Sequence, residues 1–274
     1  MNSDPAPSYG REVLSMIDKL LERYPEIDGI FLDQLCYDAV DTVHDDGVTM
    51  YRNKAAYMLR HCYEAPVSKL TEKIHHQGKL IFSNSPVNIE VQKDVDGHMA
   101  EGSSLLGGRW LKYLCIAKPL LFHTYYKDAG AVEDMLQQCV LYGASYSVMP
   151  HPSEEIKKIF EAYLPLLSKL KGRKWILELH PIKLPGDCRG NIFRVGNGEV
   201  VISLIGGRRS ISERDSIKRS LSLKVCFAGW PEVGSVYTLG THYRNKREVL
   251  LVKEKDGLLL TIPEHSTATV VVLK

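Results

Sequence analysis

The chain has 274 residues, 44% of them hydrophobic, enough to bury the core of one large domain or of two ordinary ones. Its 35 basic and 33 acidic residues are mixed along the sequence and leave a formal charge of +2, which argues against nucleic acid or a membrane surface as partner. No apolar run approaches the roughly 20 residues of a membrane span, and Met1 to Pro5 carries no basic and apolar leader, a pattern that points to the cytoplasm if Met1 is the true start. The six cysteines, Cys36, Cys62, Cys115, Cys139, Cys188 and Cys226, form no CxxC pair and no cluster with histidine at metal-ligand spacing. Buried free thiols are expected, with neither a metal nor a cofactor.

In chain order, a polar entry gives way to helical spacing of Val13, Ile17, Leu20 and Leu21 between Arg11 and Tyr24. Pro25 ends that helix. Gly29 to Leu32 is then a short apolar run of the kind buried in a parallel sheet, and it stops at Asp33. A polar loop, Asp38 to Gly47, holds Asp38, Asp41, His44, Asp45 and Asp46. A long helix is predicted from Tyr51 to His76, bent or divided near Pro66, whose ring crowds the preceding turn. Lys79 to Asn84 reads as a second buried strand and Gly97 to Glu101 as a third, again ending in an acid.

Helix Leu105 to Ala117 leads to strand Pro119 to Tyr126, and helix Ala131 to Tyr142 to strand Ala144 to Met149. Ser153, with Glu155 in the first turn, is the start signal of a helix that runs to about Leu170. Five alternations of strand and helix imply a parallel sheet with helices outside it. After Gly172 the pattern changes to eight short β-type runs, at 174–180, 191–195, 199–205, 220–226, 234–239, 247–252, 257–262 and 267–273, separated by turns such as Gly196-Asn197-Gly198. An antiparallel sandwich is expected there. Gly206 to Arg209 lies between β runs and reads as a turn, lacking the strand-to-helix setting of a phosphate loop.

Two motifs, DGIFLD (Asp28 to Asp33) and GHMAEG (Gly97 to Gly102), in a parallel α/β unit followed by an all-β domain, resemble the barrel glycoside hydrolases that attack α-linked sugars. The α-galactosidases and endo-α-N-acetylgalactosaminidase-like enzymes are of this kind. The resemblance implies an α/β fold made of a partial TIM (β/α) barrel, residues 1–172, followed by an all-β antiparallel sandwich, residues 173–274. The strand ending at Asp33 corresponds to barrel strand four and the next four to strands five to eight. Strands one to three have no counterpart. A whole barrel takes about 250 residues, so a chain whose α/β part ends at Gly172 is expected to be a piece of a longer protein, the competing reading being an open five-stranded sheet. Phe31 occupies the position at which many α-galactosidases carry lysine, and Glu101 a position usually held by aspartate, which points to a related branch.

The same resemblance implies hydrolysis of O-glycosidic bonds by two carboxyl groups, with Asp33 as nucleophile or base and Glu101 as general acid/base. Candidate carbohydrate-binding residues are His44, Asp45 and Asp46 in the loop after the first strand, Asn84 and Asn88 after the second, and His123, Tyr125 and Tyr126 at the end of the fourth. Arg109 and Trp110 are weaker candidates. The alternative is a non-catalytic carbohydrate-binding protein with a degenerate barrel.

Overall fold

A computed structural model describes residues 8–33, 35, 39–84, 88–101, 116–123, 125, 128–147, 151–206, 219–226, 233–265 and 267–274. By contacts the chain divides into two compact units, Met1–Glu101 with Lys118–Leu120, and Gly102–Ala117 with Leu121–Lys274. Strand-helix alternation does end near Gly172, but the last two helices of the α/β stretch belong by contact to the β-rich unit.

The first unit opens with α1 (Ser8–Arg23) and β1 (Gly29–Leu32). It closes on α2 (Glu64–His76), β5 (Leu80–Asn84), α3 (Ile89–Asp94) and β6 (Gly97–Glu101). β1 pairs in parallel with β5 and β5 with β6, so chain order is also spatial order. Alternate side chains point to opposite sides of such strands. On one side Ile30, Leu32 and Ile81 meet Leu14, Ile17 and Leu21 of α1 and Val67, Leu70 and Ile74 of α2 in a single core. The other side carries Phe31, Phe82 and Met99, and beyond them Asp33, Asn84 and Glu101. Two glycines let the strands come together: a Cβ on Gly29 would lie 2.0 Å from the carbonyl oxygen of Leu80, and one on Gly97 would lie 2.3 Å from the Phe82 ring.

The helix expected from Tyr51 to His76 is not continuous. Residues 40–58 form a three-stranded insert in the order β2 (Val40–Asp41), β4 (Lys54–Met58), β3 (Thr49–Tyr51). Arg52 and Asn53, with φ of 51° and 61°, turn the β3–β4 hairpin in a left-handed conformation that no helix can contain. A 3-10 turn, Leu59–Tyr63, then enters α2, and Pro66 sits in the first turn of that helix, where a missing amide hydrogen costs nothing. Lys118 donates to the carbonyls of Gln92, Lys93 and Val95, capping the end of α3 with a cation.

In the second unit Leu121 to His123 of β7 (Leu120–His123) pair in parallel with β8 (Ser145–Ser147), and α4 (Ala129–Tyr142) connects the two strands. Asp128 caps the start of α4, accepting from the amide of Ala131, and Gly143 at φ 68° ends it. Ser153 caps α5 (Glu154–Ser168) as the sequence predicts. The strands that follow are β9 (Lys174–Trp175), β10 (Ile182–Lys183), β11 (Arg189–Arg194), β12 (Val200–Ile205), β13 (Arg219–Val225), β14 (Val236–Gly240), β15 (Tyr243–Glu248), β16 (Leu250–Glu254), β17 (Gly257–His265) and β18 (Ala268–Leu273). They make a six-stranded sheet, β15-β14-β18-β12-β11-β9, and a four-stranded one, β10-β13-β17-β16.

The six-stranded sheet is covered twice. Val201, Ile205, Val270 and Val272 face α4 and α5. Val200, Ile202, Leu204, Val271 and Leu273 face Leu223, Leu260 and Ile262 of the other sheet. β12 and β18 are accordingly buried along their whole length, which explains their unbroken apolar sequences. The run expected at 247–252 breaks at Val249 into two strands, and only two residues of the run 174–180 are strand. Most of the helix expected at 105–117 lies outside the described residues, as do Asp38, Tyr126, Met149, Cys36, Cys115 and the turn at 207–209.

Candidate functional site

The register of the first unit decides which polar side chains meet. Leu32 lies opposite Ser83, so Asp33, one residue on, comes level with Asn84. Asn84 lies opposite Met99, and Glu101 is two residues beyond Met99 on the same face. The three polar groups thus end three neighbouring parallel strands at their C-terminal edge, the edge at which α/β enzymes assemble their sites. The Asn84 Nδ2 donates to Asp33 Oδ1 at 2.7 Å and to Glu101 Oε2 at 3.0 Å. Because both bonds leave one nitrogen, the two accepting oxygens are less than about 6 Å apart. Asn84 is 3% exposed, while Asp33 is open to solvent and Glu101 half-buried. The acids are thus more accessible than the amide that joins them.

On the opposite side of the same strands, Ser83 Oγ lies 3.3 Å from His98 Nδ1, both buried. Burial, aided by the charge of Lys118, pushes the His98 imidazole down to about 4, so it is neutral over the physiological range. Nothing in the sequence pattern had singled out His98. Its parity does so afterwards, since it alternates with Met99 and Gly97 and must point into the helix-covered side.

The remaining candidates divide. Asp46 organises the insert: Oδ1 accepts from the amides of Val48 and Thr49, and Oδ2 from the Thr49 hydroxyl and the Met58 amide. Burial opposes ionisation there, but these bonds hold the carboxyl below the usual range. Asp45 accepts from the Gly47 amide, and His44 Nδ1 lies 2.6 Å from Asp41 Oδ2, all near the insert's surface. Asn88 caps α3 through the Glu90 amide and ties it to the 3-10 turn and α2 by donating to Arg60 O and Glu64 Oε1. These contacts give Asp46 and Asn88 structural tasks. In the second unit His123 Nδ1 lies 3.3 Å from Ser147 Oγ, and its ring meets that of Tyr125 edge to face at 4.9 Å. Arg109 and Trp110 lie outside the described residues. Among the described residues no group of three or more His, Cys, Asp or Glu is arranged to hold a metal ion, and no helix is long and apolar enough to cross a membrane.

In sequence the chain matches no known family model and no curated protein. Solved structures do match it. A cycloisomaltooligosaccharide glucanotransferase of a Paenibacillus species, solved with cycloisomaltoheptaose, is similar over 98% of this chain and 66% of its own, with a TM-score of 0.66 and 8% identity. A family 30 subfamily 8 xylanase of Clostridium acetobutylicum is similar over 98% of this chain and 73% of its own, with a TM-score of 0.52 and 10% identity. This chain therefore spans about two thirds of the glucanotransferase. At such identities the likeness is one of fold: a mixed α/β protein with parallel and antiparallel sheets whose structural neighbours are glycoside hydrolases. It does not single out the α-galactosidase kind.

Proposed function

We propose that the protein is a glycoside hydrolase acting on α-linked sugars, with Asp33 as nucleophile and Glu101 as general acid/base. The observation that carries this reading is the double hydrogen bond from Asn84, which brings the two carboxyls together at the C-terminal ends of neighbouring parallel strands, where a pair of glycosidase acids would stand. In that reading β1, β5 and β6 take the parts of strands four, five and six of a glycosidase barrel. The Asp33 carboxylate attacks the anomeric carbon and forms a glycosyl ester. Glu101 gives its proton to the departing oxygen, then takes one from the water that releases the sugar with retained configuration. The fold of the structural neighbours supports the class of reaction, and the α linkage rests on the DGIFLD and GHMAEG motifs.

The test is hydrolysis of a panel of aryl α-glycosides by the wild-type protein, Asp33→Asn and Glu101→Gln. Asp33→Asn is expected to abolish turnover of every substrate. Glu101→Gln is expected to lose about 10²- to 10⁴-fold on poor leaving groups and far less on dinitrophenyl glycosides, whose leaving group needs no proton. Sugar binding without turnover by the wild-type protein, unchanged in Asp33→Asn, would instead identify a non-catalytic carbohydrate-binding protein.

A further inference from the structure

We propose that Asn84 is a positioning residue for the acid pair, and that its amide, rather than binding sugar, fixes the spacing of Asp33 and Glu101. The inference rests on the reading of those two residues as the reacting pair. An asparagine nitrogen has two hydrogens, and both are committed, one to each carboxylate. With Nδ2 turned towards the pair the amide donates to both acids at once, which its oxygen could not do. While the bonds persist, Nδ2 has no hydrogen left for a sugar hydroxyl.

The mounting of the side chain suits that task. Asn84 is on the middle of the three strands, with β1 paired on one side and β5–β6 pairing extending to Asn84 itself on the other. Its side chain is buried, so its amide is held between two acids whose own strands are fixed by the same ladder. The amide thereby keeps the pair at one distance when a substrate arrives, which is the kind of preorganisation that lowers a barrier without tightening ground-state binding.

The experiment compares the wild-type protein with Asn84→Leu, branched at the same carbon but without donors, and with Asn84→Ser, which keeps one donor. Crystal structures of the variants give the separation of the Asp33 and Glu101 carboxyls, a readout independent of catalysis. The separation is expected to grow in Asn84→Leu, with Asn84→Ser in between. With a substrate in hand, kcat falls about 10²-fold with KM within a few-fold. An unchanged separation in a folded Asn84→Leu overturns the proposal, and should that variant not fold, an unchanged separation in Asn84→Ser does so. A changed separation in a protein whose wild type hydrolyses no glycoside would leave the positioning role intact and remove the glycosidase reading instead.

Discussion

The two units treat their sheets in opposite ways. In the β-rich unit the two central strands of the six-stranded sheet, β12 and β18, are sealed on both faces and expose nothing. In the first unit the parallel strands are packed by helices on one face, while the other face leaves Phe31 48% exposed and carries the acid pair at its edge. Burial supplies most of the free energy of folding, so the sealed sheet is where stability is concentrated. The open face has polar, accessible groups held by hydrogen bonds, which is what a reacting site requires and what a core excludes.

Four changes test that division. Phe193→Ala, which removes a side chain with 0% exposure between the six-stranded sheet and the helices, is expected to cost about 3–5 kcal/mol, measured by chemical denaturation. Acidification comes next. His98 has a folded pKa of about 4 against 6.5 in the unfolded chain, so the unfolded state takes up the proton first. The His98 contribution is therefore complete above pH 6.5 and is lost as pH falls towards 4, by as much as about 3 kcal/mol. Asp46, held below the carboxylate range, loses its contribution only under more acid conditions, below its ordinary value of 3.8. His98→Phe should flatten the slope between pH 6.5 and 4. Gly29→Ala drives a Cβ into the Leu80 carbonyl and is expected to cost about 1–3 kcal/mol, with faster amide exchange along β1 and β5. Phe31→Ala, on the open face, should change stability by less than about 1 kcal/mol. A large loss from Phe31→Ala, or a small one from Phe193→Ala, would break the contrast.

Much of this was legible in the sequence because it depends on local pattern. The strands ending at Asp33, Asn84 and Glu101 were marked by short apolar runs ending in polar residues, and Ser153 marked its helix by side-chain chemistry. The alternation of β12 and β18 was hidden because both faces are buried, leaving apolar runs with no period to read. The 51–76 region misled for another reason: apolar residues at helical spacing continue through a hairpin whose turn is marked only by Asn53, since Arg52 beside it is not a turn-forming residue. The role of Asn84 was invisible for want of register. That an amide would fall between two acids follows only once Leu32 is matched to Ser83 and Asn84 to Met99.

The order of the six-stranded sheet also governs how the protein can be made. β18, last in the sequence, lies between β12 and β14, so Val201 and Val272 become neighbours only after nearly all of the second unit has been synthesised. Until then the hairpin of β11 and β12 presents an apolar strand with its edge unpaired, the kind of surface that recruits other chains. Closure by a distant strand is slow because the intervening loop must be ordered before the contact rewards it. The interval between the emergence of β12 and that of β18 is thus one in which a nascent chain carries an unpaired apolar strand edge.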